Sequence, residues 1–433
     1  MTYLILGMGR SGQATASWLQ DQKEKVIAFD DDSKKCEGFK SDLNSIPWNE
    51  ITAVIQSPGI PYNLPQPHAL TKEALSRNIP ILSDINLLRQ SQNKAAFIGI
   101  TGTNGKSTTT ALIGHVLKEN KKEVAVGGNI GIPALSLSKL NEKGIYVLEL
   151  SSYQLEFSPS LNLNIAAWLN ISKDHLERHG SMSGYVKAKM RIFEGCQKAA
   201  ISIDDSYSKK VYEQINKKIP AFSVSVERKA DIWVSQGTLF EGATSIIDLN
   251  PILTLKGKHN HQNAAVAYAT LRLQGLSAHD IQKGMHTFPG LAHRLEIIGH
   301  NQNIIFVNDS KATNADATAK ALDSYKDTSI YWIAGGRPKS NGIASLKQYF
   351  PKITHAFLIG EAEADFAKTL ESKVLYSKCG DLDTALQKAY GMAQKDQSKQ
   401  AVILFSPACA SFDQFKDFEH RGEVFRDLVR GLL

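Results

Sequence analysis

A glycine-rich loop between an apolar strand and a helix constrains the fold of this chain more than any other feature. It reads Ile98-Gly99-Ile100-Thr101-Gly102-Thr103-Asn104-Gly105-Lys106-Ser107-Thr108-Thr109. Glycines let backbone N–H groups face phosphate oxygens, a lysine supplies a cation to the β and γ phosphates, and a serine hydroxyl can ligate Mg²⁺. The general spacing places its first glycine at position 100, where this chain has Ile100. The order of strand, loop and helix nevertheless predicts a triphosphate site, formed by Gly102, Thr103, Asn104, Gly105, Lys106, Ser107 and Thr108.

Composition excludes several classes of protein. The 433 residues suit two or three domains, and 42% hydrophobic with 21% charged residues is ordinary for a globular protein. No apolar run approaches the roughly 18 residues of a membrane span, and the N-terminus lacks an export signal, so we expect a cytoplasmic protein. The net charge of +7 is spread along the chain, which argues against a nucleic-acid partner. Four scattered cysteines suggest neither a disulfide framework nor a zinc site.

Three segments alternate short apolar strands with helical stretches, the pattern of doubly wound α/β domains. We predict a Rossmann-like domain over residues 1–92, a central P-loop domain with a mostly parallel sheet over residues 93–289, and a Rossmann-like α/β domain over residues 290–433. The polar stretch 89–94 is interpreted as a linker. Antiparallel strands are expected between residues 221 and 255, followed by a helix over about 260–274.

The first strand leads into a second glycine-rich turn, Gly7-Met8-Gly9-Arg10-Ser11-Gly12, and Asp30 ends the next strand. This pattern is typical of dinucleotide binding, because a pyrophosphate can lie on the helix N-terminus. A UDP-type diphosphate fits that geometry as well as NAD does. Ser57-Pro58-Gly59 follows the third strand. It is either a loop over the same ligand or a plain turn.

Two polar residues follow the phosphate loop at positions that favour chemistry. Glu149 interrupts a strand that should be buried, and a buried carboxylate needs a partner. A Mg²⁺ ion near the triphosphate is one such partner, and a lysine is the alternative. His175 follows another strand end, where open α/β sheets bind ligands. It is a metal ligand, a substrate contact or a structural histidine.

Together these segments resemble the Mur ligases, which add amino acids to a UDP-linked peptidoglycan precursor. The similarity covers essentially the whole chain, and the family's own phosphate loop also lacks the first glycine. Further matching motifs are Leu148-Glu149-Leu150-Ser151-Ser152-Tyr153-Gln154-Leu155, Asn308-Asp309-Ser310-Lys311-Ala312-Thr313-Asn314 and Ser406-Pro407-Ala408-Cys409-Ala410-Ser411-Phe412-Asp413-Gln414-Phe415. The Asp-Asn-Pro-Arg motif of the diaminopimelate- or lysine-adding relative does not occur in the sequence.

The resemblance implies an activity and its cofactors. ATP would phosphorylate the carboxylate of UDP-N-acetylmuramoyl-L-alanine, and the D-glutamate amine would displace phosphate from the acyl phosphate. Two Mg²⁺ ions and a carbamylated Lys189 are implied, although from the residues alone Lys189 reads as a surface lysine. The implied metal set is Ser107, Glu149, His175 and Lys189, and the implied catalytic residues are Lys106, Lys189, His175 and Glu149.

The resemblance also implies three binding sets, and separately we expect a monomer. Beyond the phosphate loop, the implied ATP contacts are Asn260, Asn263, Arg294, Asp309 and Lys311. The first two of these are alternatively helix-capping residues. The implied contacts of the UDP-linked substrate are Gly9, Arg10, Ser11, Asp30, Asp31, Ser57, Pro58, Gly59, Asn129, Ser151 and His175. The implied D-glutamate contacts are Thr313, Lys339, Ser411 and Phe418.

Two other functions fit part of the sequence. A folylpolyglutamate synthetase-like ligase would share the phosphate loop and the modified lysine, but it would not need the N-terminal glycine-rich turn. An NAD-binding dehydrogenase or regulatory protein would use that turn, but it leaves Glu149, His175 and the segment 309–313 without a task.

Overall fold

The computed structural model describes residues 1–39, 46–129, 131–325, 327–338, 342–396 and 400–433. The strands of these residues form three sheets, each covered by helices, as the α/β prediction requires. None of the described helices is both long and apolar enough to cross a bilayer.

The N-terminal sheet is parallel and has the strand order β2-β1-β3-β4. Its buried strand residues, such as Leu4, Ile5 and Val54, explain the apolar runs in the sequence. The strands are β1 (Thr2–Leu6), β2 (Lys25–Phe29), β3 (Ile51–Gln56) and β4 (Ile81–Leu82). The helices are α1 (Arg10–Asp21), α2 (Ala69–Ser76) and α3 (Asp84–Ser91).

The central sheet has the order β13-β12-β11-β10-β9-β8-β5-β7-β6. It is parallel from β6 to β11, and β11, β12 and β13 are antiparallel, which confirms the expectation for residues 221–255. The strands are β5 (Ala96–Thr101), β6 (Val124–Gly128), β7 (Ile145–Glu149), β8 (Ile165–Trp168), β9 (Lys198–Ser202), β10 (Ala221–Ser225), β11 (Ile232–Ser235), β12 (Thr238–Glu241) and β13 (Thr244–Asp248). The helices are α4 (Lys106–Glu119), α5 (Ser152–Phe157), α6 (Leu176–His179), α7 (Met182–Met190), α8 (Ser206–Ile215), α9 (Lys258–Leu273) and α10 (Ala278–His286).

The C-terminal sheet has the order β14-β15-β19-β16-β17-β18, and only the β14–β15 pairing in it is antiparallel among the described residues. Its strands are β14 (Glu296–Asn301), β15 (Ile304–Asn308), β16 (Ser329–Gly335), β17 (Ile353–Ile359), β18 (Tyr376–Gly380) and β19 (Ala401–Phe405). The helices are α11 (Ala315–Ser324), α12 (Glu363–Leu370), α13 (Leu382–Ala393) and α14 (Phe418–Arg430).

The chain divides into two compact units, Met1–Phe288 and Pro289–Leu433. The first holds two sheets, and a boundary near residue 92 within it stays a prediction. The linker interpretation of residues 89–94 is wrong for 89–91, which are the last turn of α3. Ser83 and Asn86 form a capping box at the start of that helix, and its buried Ile85, Leu87 and Leu88 hold it in place.

The buried carboxyl of Asp84, in the first turn of α3, should make the stability of the protein depend on pH. Burial raises the pKa of this carboxyl to about 6, although the Ile85 N–H and the Gln154 side chain lower it. The unfolded chain loses this proton near about pH 4, so the folded state holds more protons between about pH 4 and 6. As the pH rises from about 4 to about 6, the free energy of unfolding should therefore fall by on the order of 3 kcal/mol.

The test is urea unfolding at about pH 4.5 and pH 7.5. Relative to the unmodified chain, Asp84→Asn should gain stability at the higher pH, because the amide cannot ionise. The matched control is Asp21→Asn, at an exposed position. An equal effect of Asp84→Asn at both pH values would contradict the prediction.

Candidate active site

The phosphate loop joins β5 to α4, and its shape depends on Gly105. This residue has φ 84°, in the left-handed region that favours glycine. A Cβ atom there would lie 2.0 Å from Asn263 Oδ1, so glycine is also required by packing. Lys106 Nζ donates to the carbonyl oxygens of Gly102 at 3.0 Å and Thr103 at 2.8 Å. The ammonium group thus lies over the loop that would hold the phosphates.

Glu149 ends β7 beside this loop and is 3% exposed. Its two carboxylate oxygens accept hydrogen bonds from Ser107 Oγ at 2.8 Å and Asn129 Nδ2 at 2.9 Å. Both of these partners are neutral side chains, and Glu149 also attracts the nearby Lys189 electrostatically. The two alternatives for Glu149, a Mg²⁺ ion or a lysine, therefore both stay open. A buried carboxylate next to a serine hydroxyl is a donor set that suits Mg²⁺.

This donor set is sparse. Among the described residues, no group of three or more His, Cys, Asp or Glu side chains could hold a metal ion by itself. Mg²⁺ in nucleotide sites commonly takes one or two carboxylates and completes its shell with water and substrate phosphates. Ser107 and Glu149 fit that arrangement.

Lys189 lies on α7 and is 1% exposed, so the surface-lysine reading is wrong. Its Nζ donates to Gly102 O at 2.9 Å and Thr101 Oγ1 at 3.2 Å, next to the phosphate loop. Burial, and then repulsion by Lys106, lowers the pKa of this amine well below its ordinary value. A buried amine of low pKa is largely neutral and therefore nucleophilic.

His175 is held in an aromatic cluster between α6 and the phosphate loop. Its backbone has φ 51°, unusual for a residue other than glycine. Its Nδ1 lies 3.1 Å from the hydroxyl of Tyr153, and its ring centroid lies 6.1 Å from that of Tyr185. Tyr185 Oη is 3.2 Å from Thr103 Oγ1, and Lys189 Nζ is 5.0 Å from the Tyr185 ring centroid. The cluster connects His175 to both the loop and Lys189.

Sequence reasoning did not single out either tyrosine as a site residue. Tyr153 follows the Ser-Ser pair of a matching motif, and Tyr185 lies four residues before Lys189. That four-residue spacing places Tyr185 and Lys189 on one helix face. The spacing could therefore have identified Tyr185 as a neighbour of Lys189.

Asn260 and Asn263 lie near the start of α9, but Gly257 occupies the N-cap position. Asn260 Nδ2 donates to Lys256 O at 3.1 Å, and Asn263 Nδ2 donates to Asn260 Oδ1 at 3.2 Å. The capping alternative is therefore wrong for both. Asn263 contributes instead to the wall of the phosphate loop, against Gly105.

The N-terminal glycine-rich turn packs closely against its neighbours. Gly9 is the N-cap of α1, and a Cβ on Gly12 would lie 2.0 Å from Gly7 O. Ser57 Oγ donates to Gly7 O at 2.6 Å, which joins the turn to the Ser57-Pro58-Gly59 segment. The Arg10 side chain donates to Gly131 O at 2.9 Å, next to the segment that carries Asn129.

The remaining predicted contacts of the UDP-linked substrate lie on separate elements. Asp30 accepts hydrogen bonds from the N–H groups of Met8 at 2.7 Å and Asp32 at 3.0 Å. Burial opposes ionisation of Asp30, but those two N–H groups and Lys35 lower its pKa. Asp31 is exposed, and Ser11 is half-buried in the first turn of α1. Ser151 caps α5 through a capping box with Gln154.

In the C-terminal unit, Asp309 follows β15 and is almost fully buried. Its carboxylate accepts hydrogen bonds from Ser406 Oγ at 2.7 Å and from Leu295 N at 3.2 Å. Burial raises the pKa of Asp309 to about 7, and Arg294 acts in the opposite direction. Lys311 N donates to His293 O at 3.0 Å. Arg294, Asp309 and Lys311 therefore belong to one connected loop cluster.

The predicted D-glutamate residues adjoin that cluster. Lys311 Nζ lies 5.3 Å from the ring centroid of Phe418, the first residue of α14. Arg421, which sequence reasoning missed, is fully buried and donates to Ser310 O at 2.8 Å and Cys409 O at 3.0 Å. It thereby joins the segment of Thr313 to the segment of Ser411. Lys339 lies outside the described residues.

Comparison with known proteins places this chain in a class of ATP-dependent ligases. Residues 100–271 match the family of the Mur ligase middle domain, and residues 293–409 match that of the Mur ligase glutamate ligase domain. The chain belongs to the Mur ligase family.

Similar proteins include a UDP-N-acetylmuramoylalanine–D-glutamate ligase of Paramagnetospirillum magneticum, which is 45% identical over 99% of this chain and 96% of the relative. One of the same name from Rhodospirillum rubrum is 46% identical over 99% of this chain and 94% of the relative. Among solved structures, the UDP-N-acetylmuramate-alanine ligase of Thermotoga maritima aligns over 100% of both chains at 19% identity, with a TM-score of 0.61. That likeness concerns the fold alone.

Proposed function

We propose that this chain is an ATP-dependent ligase that joins D-glutamate to UDP-N-acetylmuramoyl-L-alanine, a step in peptidoglycan synthesis. Full-length relatives at 45% and 46% identity carry that activity in their names. The structural observation that carries the proposal is the pairing of buried Glu149 with Ser107 at a phosphate loop that also contacts buried Lys189. The reaction is proposed to take place in the cytoplasm, and the protein is proposed to act as a monomer.

The chemistry has to activate a carboxylate, which is a poor acyl electrophile. An oxygen of the L-alanine carboxylate attacks the γ-phosphorus of ATP, and ADP leaves. The D-glutamate amine then attacks the carbonyl carbon of the acyl phosphate, inorganic phosphate leaves, and the nitrogen loses a proton. The first step gathers negative charge on the transferring group, so cations fixed beside it lower the barrier.

Residues of the phosphate loop and its neighbours would carry this step. The N–H groups of Gly105, Lys106 and Ser107 would bind phosphate oxygens, because those of Thr103 and Asn104 already donate to Asn170. Lys106 would move from the loop carbonyls to the β and γ phosphates. Ser107 and Glu149 would hold Mg²⁺, with His175 and Lys189 at a second ion, and the metal would supply further charge neutralisation. Asn260 and Asn263 are proposed adenine contacts.

Lys189 is proposed to be carbamylated. Its neutral nitrogen can attack CO₂, which forms an N–C bond and releases one proton, and the product is a carbamate anion. The low pKa of the buried amine supports this, because only the unprotonated nitrogen has a free lone pair. The change from a potential cation to an anion would let residue 189 bind a metal ion rather than repel it.

Substrate binding is proposed to follow the order of the chain. Residues 1–92 and the segments of Asn129, Ser151 and His175 bind the UDP-linked substrate, residues 93–289 bind ATP, and residues 290–433 bind D-glutamate. In the last of these, Thr313, Lys339, Ser411 and Phe418 are the proposed contacts. Arg294, Asp309 and Lys311 are further proposed ATP contacts.

The deciding experiment measures phosphate release from ATP in the presence of UDP-N-acetylmuramoyl-L-alanine. Release should require D-glutamate and should stop when L-glutamate replaces it. Release with neither substrate, or none with both, would contradict the proposal. In the second case, binding of NAD to the isolated protein would return the N-terminal glycine-rich turn to a dehydrogenase or regulatory role.

A further inference from the structure

A cleft lies along one face of α7, and it is not the face that meets the phosphate loop. It has a volume of about 640 Å³ and is lined by α7, the segment 62–64 and the end of α8. Lys187, Ala188 and Arg191 line it, whereas Lys189 contacts Gly102 instead. We call it the α7 cleft. Its volume falls in the range of small-molecule sites.

Two arginines and two lysines line the α7 cleft, and both arginines form ion pairs with glutamates. Arg178 Nε lies 2.7 Å from Glu156 Oε2, in an ion pair whose side chains are 5% and 7% exposed. Arg191 Nε lies 3.5 Å from Glu194 Oε1. These two pairs account for both carboxylates of the lining. They leave no acidic side chain in the cleft for the other cations.

The other two cations are Lys187 and Lys218, which are both exposed. Neither forms an ion pair or a side-chain hydrogen bond with another residue in the described part of the chain. His179, which also lines the cleft, does not add to the charge, because burial lowers its pKa to about 4. The cleft therefore presents two uncompensated positive charges.

The rest of the lining is largely apolar. Tyr62, Leu64, Met190, Phe193 and Ile215 contribute to it. Leu64 is 42% exposed, so an apolar ligand in the cleft could bury part of its side chain. A ligand of this cleft would consequently need both an apolar body and negative charge.

We propose that the α7 cleft binds a small phosphate monoester with an aromatic or alkyl body. A phosphate monoester carries close to two negative charges at neutral pH, which matches the two uncompensated lysines. Lysine ammonium groups bind phosphate as point charges without requiring a fixed fork geometry, and the apolar body covers Leu64 and Phe193. The site is separate from the proposed nucleotide sites, none of whose residues line it.

Phenyl phosphate is a suitable probe, and calorimetry of the full chain measures its binding. We expect binding to weaken at least about tenfold in the double variant Lys187→Ala, Lys218→Ala, because two charge-assisted contacts are lost. The matched control is Lys217→Ala, since Lys217 is also exposed but does not line the cleft. Inorganic phosphate and phenol should each bind more weakly than phenyl phosphate.

Two outcomes would overturn the proposal. The first is equal affinity for phenyl phosphate in the unmodified chain, the double variant and the control, which would place the probe elsewhere or show no site. The second is displacement of the probe by saturating uridine diphosphate together with loss of uridine diphosphate binding in the double variant. That result would make the cleft part of the nucleotide site. Independent binding of both molecules supports the proposal.

Discussion

Lys106→Ala is expected to lower the rate of ligation at least about 100-fold, comparable to removing a single preorganised charge-stabilising group from an active site. In the structure Nζ already lies over the phosphate loop, 3.0 Å from Gly102 O and 2.8 Å from Thr103 O. Without this ammonium, the charge that develops during phosphoryl transfer loses a fixed counter-charge. The measurement is kcat for phosphate release in the presence of both proposed substrates.

The controls for this variant separate chemistry from folding. Lys118→Ala changes an exposed lysine in the last turn of the same helix, α4, and should leave kcat unchanged. Binding of UDP-N-acetylmuramoyl-L-alanine should persist in Lys106→Ala, because that substrate is assigned to other segments. A Lys106→Ala enzyme with undiminished kcat would refute the proposed mechanism.

Much of the fold could be predicted from local sequence patterns. Strands such as β1, β9 and β19 are short, largely apolar runs, the pattern that is typical of buried strands in α/β domains. The interpretation of residues 89–94 as a linker failed for a physical reason. Polar residues at 89–91 continue a helix whose stability comes from its first half, where a capping box and buried aliphatic side chains hold it.

Some parts of the candidate site could be predicted from the sequence and others could not. The phosphate loop is recognisable because its chemistry is contained in consecutive residues. The environment of Lys189 is not, because its burial depends on contacts with Thr101 and Gly102, more than 80 positions away in the sequence. The role of Arg421 is similarly long-range, since it joins two motifs that are far apart in the chain.

Replacing the buried Lys189 should also have a large effect on catalysis. Lys189→Ala should lower kcat at least about 100-fold if residue 189 supplies an anion to the metal site. Lys189→Arg should be no better, because an arginine keeps a positive charge and cannot form the carbamate. Lys210→Ala, at an exposed position on α8, is the control and should retain full activity.

A rescue experiment distinguishes a carbamate from an ordinary lysine. A small carboxylate such as acetate or propionate can enter the space left by Lys189→Ala and present two oxygens where the carbamate would lie. Restoration of activity by the carboxylate, but not by a small amine, is the expected result. Rescue by the amine alone would mean that residue 189 acts as a cation. The carbamate would then be excluded, and Lys189 would instead act with Lys106 in neutralising the phosphates.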